Sequence, residues 1–206
     1  MKVDIIDVGS GNVRSVKNWI EKSHVSTHIV TRPEDIQSEM LVLPGVGSAG
    51  SYMQRLRSVY FDEAIKAHIE KGKRLMGICL GFQIMMDYSE EDGHVDGLGL
   101  LKGYVERLPG LVSHNGWEPL SFRRQEMNGQ GFGSCRQLTQ KRIFDGRVFY
   151  NHEYGVVSSD ESAFTLPISD KFNQYSGLQV KDNIIGIQFH PEKSQVSGTN
   201  LINMIL

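Results

Sequence analysis

The sequence has 206 residues, a length typical of one domain, with 22 Lys and Arg residues against 24 Asp and Glu residues. This near balance of charge, without a basic run, argues against nucleic acid as a partner. No apolar stretch approaches the roughly 20 residues that span a bilayer, and the start has no signal-peptide pattern. The two cysteines, Cys79 and Cys135, form no disulfide framework. We expect a single domain over residues 1–206, cytoplasmic and not membrane-bound, and we interpret Cys135 as structural.

The first half of the chain alternates between two kinds of apolar pattern. Buried strands are indicated by short apolar, β-branched runs at residues 2–8, 28–31, 40–43 and 74–78. Helices are indicated by apolar side chains at helical spacing over residues 13–22, 64–71 and 80–88. Because these elements alternate across glycine-rich turns, we expect an α/β fold with a mostly parallel central sheet flanked by helices.

From about residue 98 the pattern changes to short strand candidates separated by turns. They cover residues 99–108, 117–122, 147–150, 155–158, 174–180 and 184–189. A helical tail is expected after Ser197. The second half is therefore predicted to be rich in β-structure.

Cys79, between Gly77 and Gly81, is the first candidate for chemistry. A small residue on each side of a nucleophile lets the chain turn sharply from strand to helix and holds the side chain at the strand end. There the free N–H groups of the helix favour a thiolate, and the N–H of Leu80 would point toward an oxyanion. Taken alone, the motif equally fits a buried structural cysteine.

His190, Pro191 and Glu192 follow the last predicted strand. A thiol nucleophile needs a base within hydrogen-bond reach, and that base needs an acceptor on its other nitrogen. Pro191 restricts the backbone, so that the histidine and the glutamate are presented together. An isolated His-Pro-Glu on a surface would carry no meaning, but combined with Cys79 it predicts a catalytic triad.

The third motif is a glycine-rich turn, Pro44-Gly45-Val46-Gly47, which ends another predicted strand. Such a turn brings backbone N–H groups close to a ligand, which suits the second half of an oxyanion hole. A phosphate cradle is the alternative, but the Lys-Ser/Thr of a P-loop is missing. The histidines match no zinc template, and we expect neither a metal nor a cofactor.

The segments PGVG, GICLGFQ and QFHPEKS, in this order, resemble the class I (triad) glutamine amidotransferases, which have a flavodoxin-like α/β fold. More closely, IIDVGSGNVRSV, HNGWEPL and VFYNHEY resemble the glutaminase subunit of imidazole glycerol phosphate synthase. The resemblance implies an enzyme that hydrolyses L-glutamine to glutamate and ammonia through a γ-glutamyl thioester. It makes Cys79 the nucleophile, His190 the base and acid, and Glu192 the residue that holds the tautomer of His190.

The resemblance also implies roles for residues outside the triad. The oxyanion donors would be Val46, Gly47 and Leu80, the glutamine-binding residues Gln83, His152 and Tyr154, and the partner-surface residues Asn12, Trp117 and Lys193. The implied partner is a cyclase subunit that forms a heterodimer with this chain and uses the ammonia to make imidazole glycerol phosphate in histidine biosynthesis.

Three residues depart from the pattern of that group: Glu118 replaces Asn, Glu153 replaces Ser, and Ala49 replaces an aromatic residue. We expect Glu153 to weaken glutamine binding unless its carboxylate points away, and Glu118 and Ala49 to bear on the partner surface. The departures leave open a paralogue that feeds another synthase, such as a surface-sugar amidotransferase. A non-catalytic scaffold, and a cysteine protease or γ-glutamyl hydrolase, are also alternatives.

Overall fold

The computed structural model describes residues 1–110, 113–127 and 143–206, so Cys135 lies outside the described residues. The helices are α1 (Val13–Glu21), α2 (Ala49–Ser58), α3 (Phe61–Glu70), α4 (Leu80–Gln83), α5 (Arg124–Met127) and α6 (Gln195–Ile205). The strands are β1 (Lys2–Ile6), β2 (Ser26–Val30), β3 (Met40–Gly45), β4 (Arg74–Cys79), β5 (Tyr88–Ser89), β6 (Val95–Asp96), β7 (Gly103–Arg107), β8 (His114–Arg123), β9 (Ile143–His152), β10 (Tyr154–Ser158), β11 (Phe164–Pro167), β12 (Ser176–Lys181) and β13 (Ile184–Ile187).

Within the described ranges, the main sheet has the strand order β11-β12-β13-β4-β3-β1-β2. The strands β2, β1, β3, β4 and β13 run parallel, whereas β12 and β11 are antiparallel at one edge. Gly45 at the end of β3 is the register partner of Cys79 at the end of β4, and Ile187 of β13 pairs with Ile78. Ligand sites of α/β sheets form outside the carboxyl ends of such strands.

The helices pack on both faces of this sheet. Successive side chains of a strand point to opposite faces, and β3 follows this rule. Met40 and Val42 join a buried cluster with α1 and α6, whereas Leu41 and Leu43 join a cluster with α2 and α3. The predicted α/β fold with a mostly parallel sheet is confirmed. Of the helices in the described ranges, none combines the length and apolar character needed to cross a membrane.

Two smaller sheets contain the remaining strands of the described residues. One has the order β10-β7-β5-β6, and the other is a long antiparallel ribbon of β8 and β9. In this ribbon His114 is paired directly with His152, and the pairing continues to Arg123 and Ile143. The ribbon reaches the carboxyl edge of the main sheet, where the N–H of His190, just past β13, donates to the carbonyl of Phe149 in β9.

The helix expected over residues 80–88 is much shorter in the structure, because α4 ends at Gln83. The carbonyl groups of Ile84, Met85 and Met86 accept hydrogen bonds from the N–H groups of residues 98–101. The N–H groups of a distant segment thus bond the carbonyl groups that would accept hydrogen bonds within a longer helix. The prediction is wrong beyond Gln83 because this competition is tertiary.

The helix α2 was not expected from the sequence. Its first turn contains Gly50, a poor helix former, but its first N–H groups have acceptors far along the chain. The N–H of Ala49 donates to Glu91 Oε2 at 2.8 Å, and that of Gly50 donates to Asp92 Oδ2 at 2.9 Å. Two carboxylates from a distant turn therefore cap this helix, which also matches the positive end of its dipole.

Candidate active site

Cys79 lies at the junction of β4 and α4, with its backbone at φ 54° and ψ −111°. A positive φ is uncommon for a residue other than glycine and marks a strained turn. A Cβ atom on Gly77 would stand 2.7 Å from the carbonyl oxygen of Gly81, and one on Gly81 would overlap the carbonyl oxygen of Leu43. The flanking glycines are therefore required by close packing around a turn that holds the thiol at the strand end.

His190 connects Cys79 to Glu192. Its Nδ1 donates a hydrogen bond to Glu192 Oε1 at 2.8 Å, and its ring also hydrogen-bonds Cys79. The histidine is 2% exposed, and the side chain of Glu192 has no exposed surface. The structure thus brings the three residues of the predicted triad into one buried hydrogen-bonded series.

Opposing effects set the pKa of His190. Burial alone would lower it, but the hydrogen bonds to Cys79 and Glu192 and the charges of these groups raise the pKa to about 10. The proton therefore stays on the imidazole at neutral pH. A histidine held by a carboxylate beside a cysteine is the arrangement of a nucleophile with its acid–base partner.

Several hydrogen bonds fix the position of the His190–Glu192 turn. Asn12 donates its side-chain amide to Glu192 Oε1, the same oxygen that His190 contacts. The hydroxyl of Ser194 donates to the carbonyl of His190 at 2.7 Å and accepts from the N–H of Phe149 at 3.0 Å. The N–H of His190 donates to the carbonyl of Phe149 at 2.8 Å. The turn is therefore tied to β9 on one side and to α1 on the other.

Gln188 is a site residue that the sequence analysis did not single out. Its amide Nε2 lies 3.8 Å from Cys79 Sγ, and its Oε1 accepts a hydrogen bond from Gln83 at 3.1 Å. Gln83 also donates to the carbonyl of Tyr154 at 2.7 Å. The available signal was proximity in the sequence, because Gln188 lies two positions before His190, directly after the end of β13.

A cleft of about 440 Å³ opens beside Cys79 and His190. It is lined by these two residues and by further residues predicted for the site, namely Val46, Gly47, Leu80, Gln83, His152, Tyr154 and Lys193. The structure therefore brings the predicted oxyanion, substrate and nucleophile positions together. Asn12 and Trp117 lie outside this lining, and Asn12 instead contacts the triad through Glu192.

Trp117 lies on β8 and is 36% exposed, which is high for its type. Its ring packs edge-on against Phe149 with centroids 5.6 Å apart. The ammonium of Lys193 lies 5.8 Å from the centroid of the same phenyl ring. Trp117, Phe149 and Lys193 thus form one continuous aromatic and basic surface that reaches the edge of the cleft.

Two carboxylates line the cleft, Glu91 and Glu153. Burial raises the pKa of Glu91; the hydrogen bond from Ala49 opposes this increase, and the charges of Asp92 and Glu153 add to it. Glu153 is 45% exposed in its side chain and forms an ion pair with Arg107 at 3.2 Å. In the described part of the chain, no group of three or more His, Cys, Asp or Glu side chains is placed to hold a metal ion.

The other two departures do not lie where the sequence analysis expected. Ala49 is fully buried, so the expectation that it bears on the partner surface is wrong. The carboxylate of Glu118 is 26% exposed and faces inward to His114, 3.1 Å from its Nε2. Ala49 is therefore part of the core beneath α2, and the carboxylate of Glu118 is engaged inside the protein rather than directed at a partner.

The fold and the cleft define an α/β enzyme in which a cysteine, a histidine and a glutamate meet at the carboxyl ends of parallel strands. The chain belongs to the class-I glutamine amidotransferase family, whose sequence profile matches residues 4–205. The family predicted from the sequence is thereby confirmed.

Curated relatives agree with this membership, and a solved structure has the same fold. The imidazole glycerol phosphate synthase subunit HisH of Aquifex aeolicus is 38% identical over 206 residues, covering 98% of this chain and 94% of the relative. The protein of the same name from Oceanobacillus iheyensis is 34% identical over 204 residues, covering 97% and 96%. A crystal structure of a glutamine amidotransferase superposes with a TM-score of 0.73 at 17% identity, covering 97% of this chain and 96% of that one.

Proposed function

We propose that this chain hydrolyses L-glutamine to glutamate and ammonia with Cys79 as the nucleophile. The sulfur attacks the side-chain amide carbon, the C–N bond breaks, and His190 gives its proton to the leaving nitrogen, so that ammonia departs. Water then attacks the γ-glutamyl thioester while His190 takes its proton. The C–S bond breaks, and glutamate and the thiolate result. The observation that carries this proposal is the buried hydrogen-bonded series of Cys79, His190 and Glu192 beside the cleft.

Two backbone positions suit stabilisation of the oxyanion. Leu80 is the first residue of α4, and the first N–H groups of a helix have no acceptor within it. Val46 and Gly47 line the same cleft from the end of β3, and Gly47 has φ +111°, a conformation that favours glycine. We assign the two oxyanion donors to the N–H of Leu80 and to the Val46–Gly47 peptide. One such donor increases the rate by about 100- to 1,000-fold.

The charges of the cleft suit the amino-acid end of glutamine. Glu91 offers a carboxylate to the α-ammonium group, a role that the sequence analysis missed. Glu153 is paired with Arg107, which offsets the repulsion it would exert on the α-carboxylate. Gln83 and Tyr154 bind each other and shape the wall of the cleft. Both ring nitrogens of His152 are engaged within the protein, so we assign His152 to shaping this wall.

Covalent labelling tests the nucleophile. A glutamine analogue with a diazoketone side chain should form one adduct, on Cys79, as measured by peptide mass spectrometry. The chain has two cysteines, so a Cys135→Ala variant is the matched control and should still be labelled. Absence of the adduct, with the partner subunit present, would contradict the proposal. Hydrolysis of peptides without glutamine turnover would favour a cysteine protease instead.

We propose in addition that this chain supplies its ammonia to a cyclase subunit that makes imidazole glycerol phosphate in histidine biosynthesis. Support comes from the relatives named above and from the Trp117–Phe149–Lys193 surface at the cleft edge. Asn12, Trp117 and Lys193 would contact the partner in a heterodimer, with no cofactor, nucleic acid or membrane involved. The whole chain would act as one domain over residues 1–206, in the cytoplasm.

Co-purification and turnover test the partner. The chain should co-purify with a cyclase barrel, and the cyclase with its nucleotide ligand should stimulate glutamine hydrolysis. Stimulation only by a surface-sugar amidotransferase would overturn this assignment and leave the glutaminase chemistry intact. Two of the three departures from the related group, Ala49 and Glu118, have side chains directed into the protein. They therefore do not change the surface that would contact the cyclase, which favours the cyclase as the partner.

A further inference from the structure

A series of hydrogen bonds runs from the β8–β9 ribbon to the wall of the cleft. Glu118 Oε1 lies 3.1 Å from His114 Nε2, and His114 Nδ1 lies 3.2 Å from His152 Nε2. His152 Nδ1 lies 2.7 Å from the carbonyl oxygen of Tyr154. His152 and Tyr154 line the cleft, whereas Glu118 does not.

The donor of each hydrogen bond in this series can be assigned by starting at the carbonyl of Tyr154, its end at the cleft. A carbonyl oxygen only accepts, so Nδ1 of His152 carries a proton and donates to Tyr154. Burial lowers the pKa of His152 to about 4; the bond to Tyr154 opposes this effect, and the charges of His114 and His190 add to it. The ring is therefore neutral at pH 7, and its Nε2 is an acceptor. It follows that Nδ1 of His114 donates to His152.

At the outer end of the series, a carboxylate faces the other nitrogen of His114. Nε2 of His114 faces a carboxylate oxygen of Glu118, which accepts. Its ring lies 5.1 Å from that of Tyr150 and 5.0 Å from that of Phe172, and aromatic rings favour an adjacent cation. The His114 side chain is only 9% exposed, so the only position for a counterion to this ring that the contacts of the described residues show is the carboxylate of Glu118.

We propose that Glu118 and His114 are positioning residues for glutamine binding, with the carboxylate of Glu118 holding His114 as the imidazolium. His114 then holds the neutral His152 in the orientation that ties down the carbonyl of Tyr154. This inference rests on the proposed glutaminase function. It gives the carboxylate at position 118 a role inside the protein.

The effect on glutamine follows from the shared acceptor. The carbonyl of Tyr154 receives hydrogen bonds from His152 and from Gln83, so two donors fix the loop that lines the cleft. Loss of the Glu118 carboxylate removes the acceptor that holds His114 Nε2, so the His114 ring can turn and its hydrogen bond to His152 weakens, and with it the hold of His152 on Tyr154. Cys79 and His190 are not part of the series, so the change acts on the KM for glutamine and spares kcat.

The protonation of His114 is measured directly by long-range proton–nitrogen NMR of the chain with ¹⁵N-labelled histidine. A His114→Phe variant identifies the signals. Both ring nitrogens of His114 should be protonated in the wild type at pH 7, and one should lose its proton in Glu118→Gln and in Glu118→Leu. A neutral His114 in the wild-type chain would overturn the proposal, whether or not the chain turns over glutamine.

Kinetics of the complex with the cyclase subunit test the positioning role. Glu118→Leu should raise the KM for glutamine about tenfold and leave kcat within about twofold. Glu118→Gln should raise KM less, because the glutamine side chain can still form a hydrogen bond with His114 Nε2, now as the donor. Asp145→Asn, which removes an exposed carboxylate from the same ribbon, is the matched control. Equal KM values for Glu118→Leu and Asp145→Asn overturn this inference alone, whereas a wild-type complex without glutamine turnover overturns the proposed function as well.

Discussion

Gly81 packs against the carbonyl oxygen of Leu43 so closely that a Cβ atom at position 81 would overlap that oxygen. The contact joins β3 to the turn after Cys79, and backbone atoms cannot move aside as a flexible side chain can. We predict that Gly81→Ala lowers the free energy of unfolding by about 2–3 kcal/mol and abolishes glutamine hydrolysis. Urea unfolding measures the change. The control is Gly116→Ala, where a Cβ has open space; equal stability of the two variants would contradict the packing argument.

Cys79→Ala separates the production of ammonia from its use. We predict complete loss of glutamine-dependent synthesis in the complex, because no other thiol lies in the described cleft, and unchanged synthesis from added ammonium salt. The two rates are measured on the same preparation. Loss of both activities would mean that the substitution disrupts the complex, and the role of Cys79 would then lack support.

Glu192→Gln preserves the shape of the side chain but removes its charge. The variant can still accept one hydrogen bond, but it no longer stabilises the imidazolium of His190 or fixes its tautomer. We predict a fall in kcat for glutamine of about 100-fold or more, with little change in KM. Steady-state kinetics check this expectation, and synthesis from ammonia serves as the internal control. A variant with wild-type kcat would exclude Glu192 from the triad.

Two of the buried histidines, His190 and His152, predict opposite responses of stability to pH. The folded pKa of His190, about 10, lies above the ordinary 6.5, so the folded state binds more protons between these values. The contribution of His190 to the free energy of unfolding is therefore present at pH 6.5 and is lost as the pH rises toward 10. The folded pKa of His152, about 4, lies below 6.5, so the unfolded state binds more protons between these values. The contribution of His152 to the free energy of unfolding is therefore lost as the pH falls from 6.5 to 4. Each slope reaches at most about 1.4 kcal/mol per pH unit.

Urea unfolding across pH measures both slopes. Cys79→Ala should flatten the alkaline slope, because the hydrogen bond that raises the pKa of His190 is lost. His152→Asn should flatten the acid slope and leave the alkaline one unchanged. If each variant altered the slope assigned to the other histidine, both assignments would be wrong.

Gly47 links β3 to the proposed oxyanion donors and has φ +111°. A Cβ there would meet no atom within 4 Å, so the cost of alanine is conformational rather than steric. We predict that Gly47→Ala lowers kcat by about 10- to 100-fold without affecting complex formation. Gly72→Ala, another positive-φ glycine but remote from the cleft, should leave kcat unchanged. We also expect low basal glutaminase activity without the partner, because this glycine-rich peptide can flip.

The sequence by itself determined the parts of this protein that depend on local chemistry. Cys79 between two glycines, and His190 two residues before Glu192, each lie where a strand ends. Parallel strands bring their carboxyl ends to one edge, so short motifs sufficed to predict the site.

Only the tertiary structure decided the features that depend on contacts between distant segments. The caps from Glu91 and Asp92 stabilise α2, and the N–H groups of residues 98–101 end the helix that begins at Leu80. The series from Glu118 to Tyr154 depends on the pairing of β8 with β9. Local patterns do not record such partners, because a hydrogen bond across a fold is specified by the packing of the whole chain.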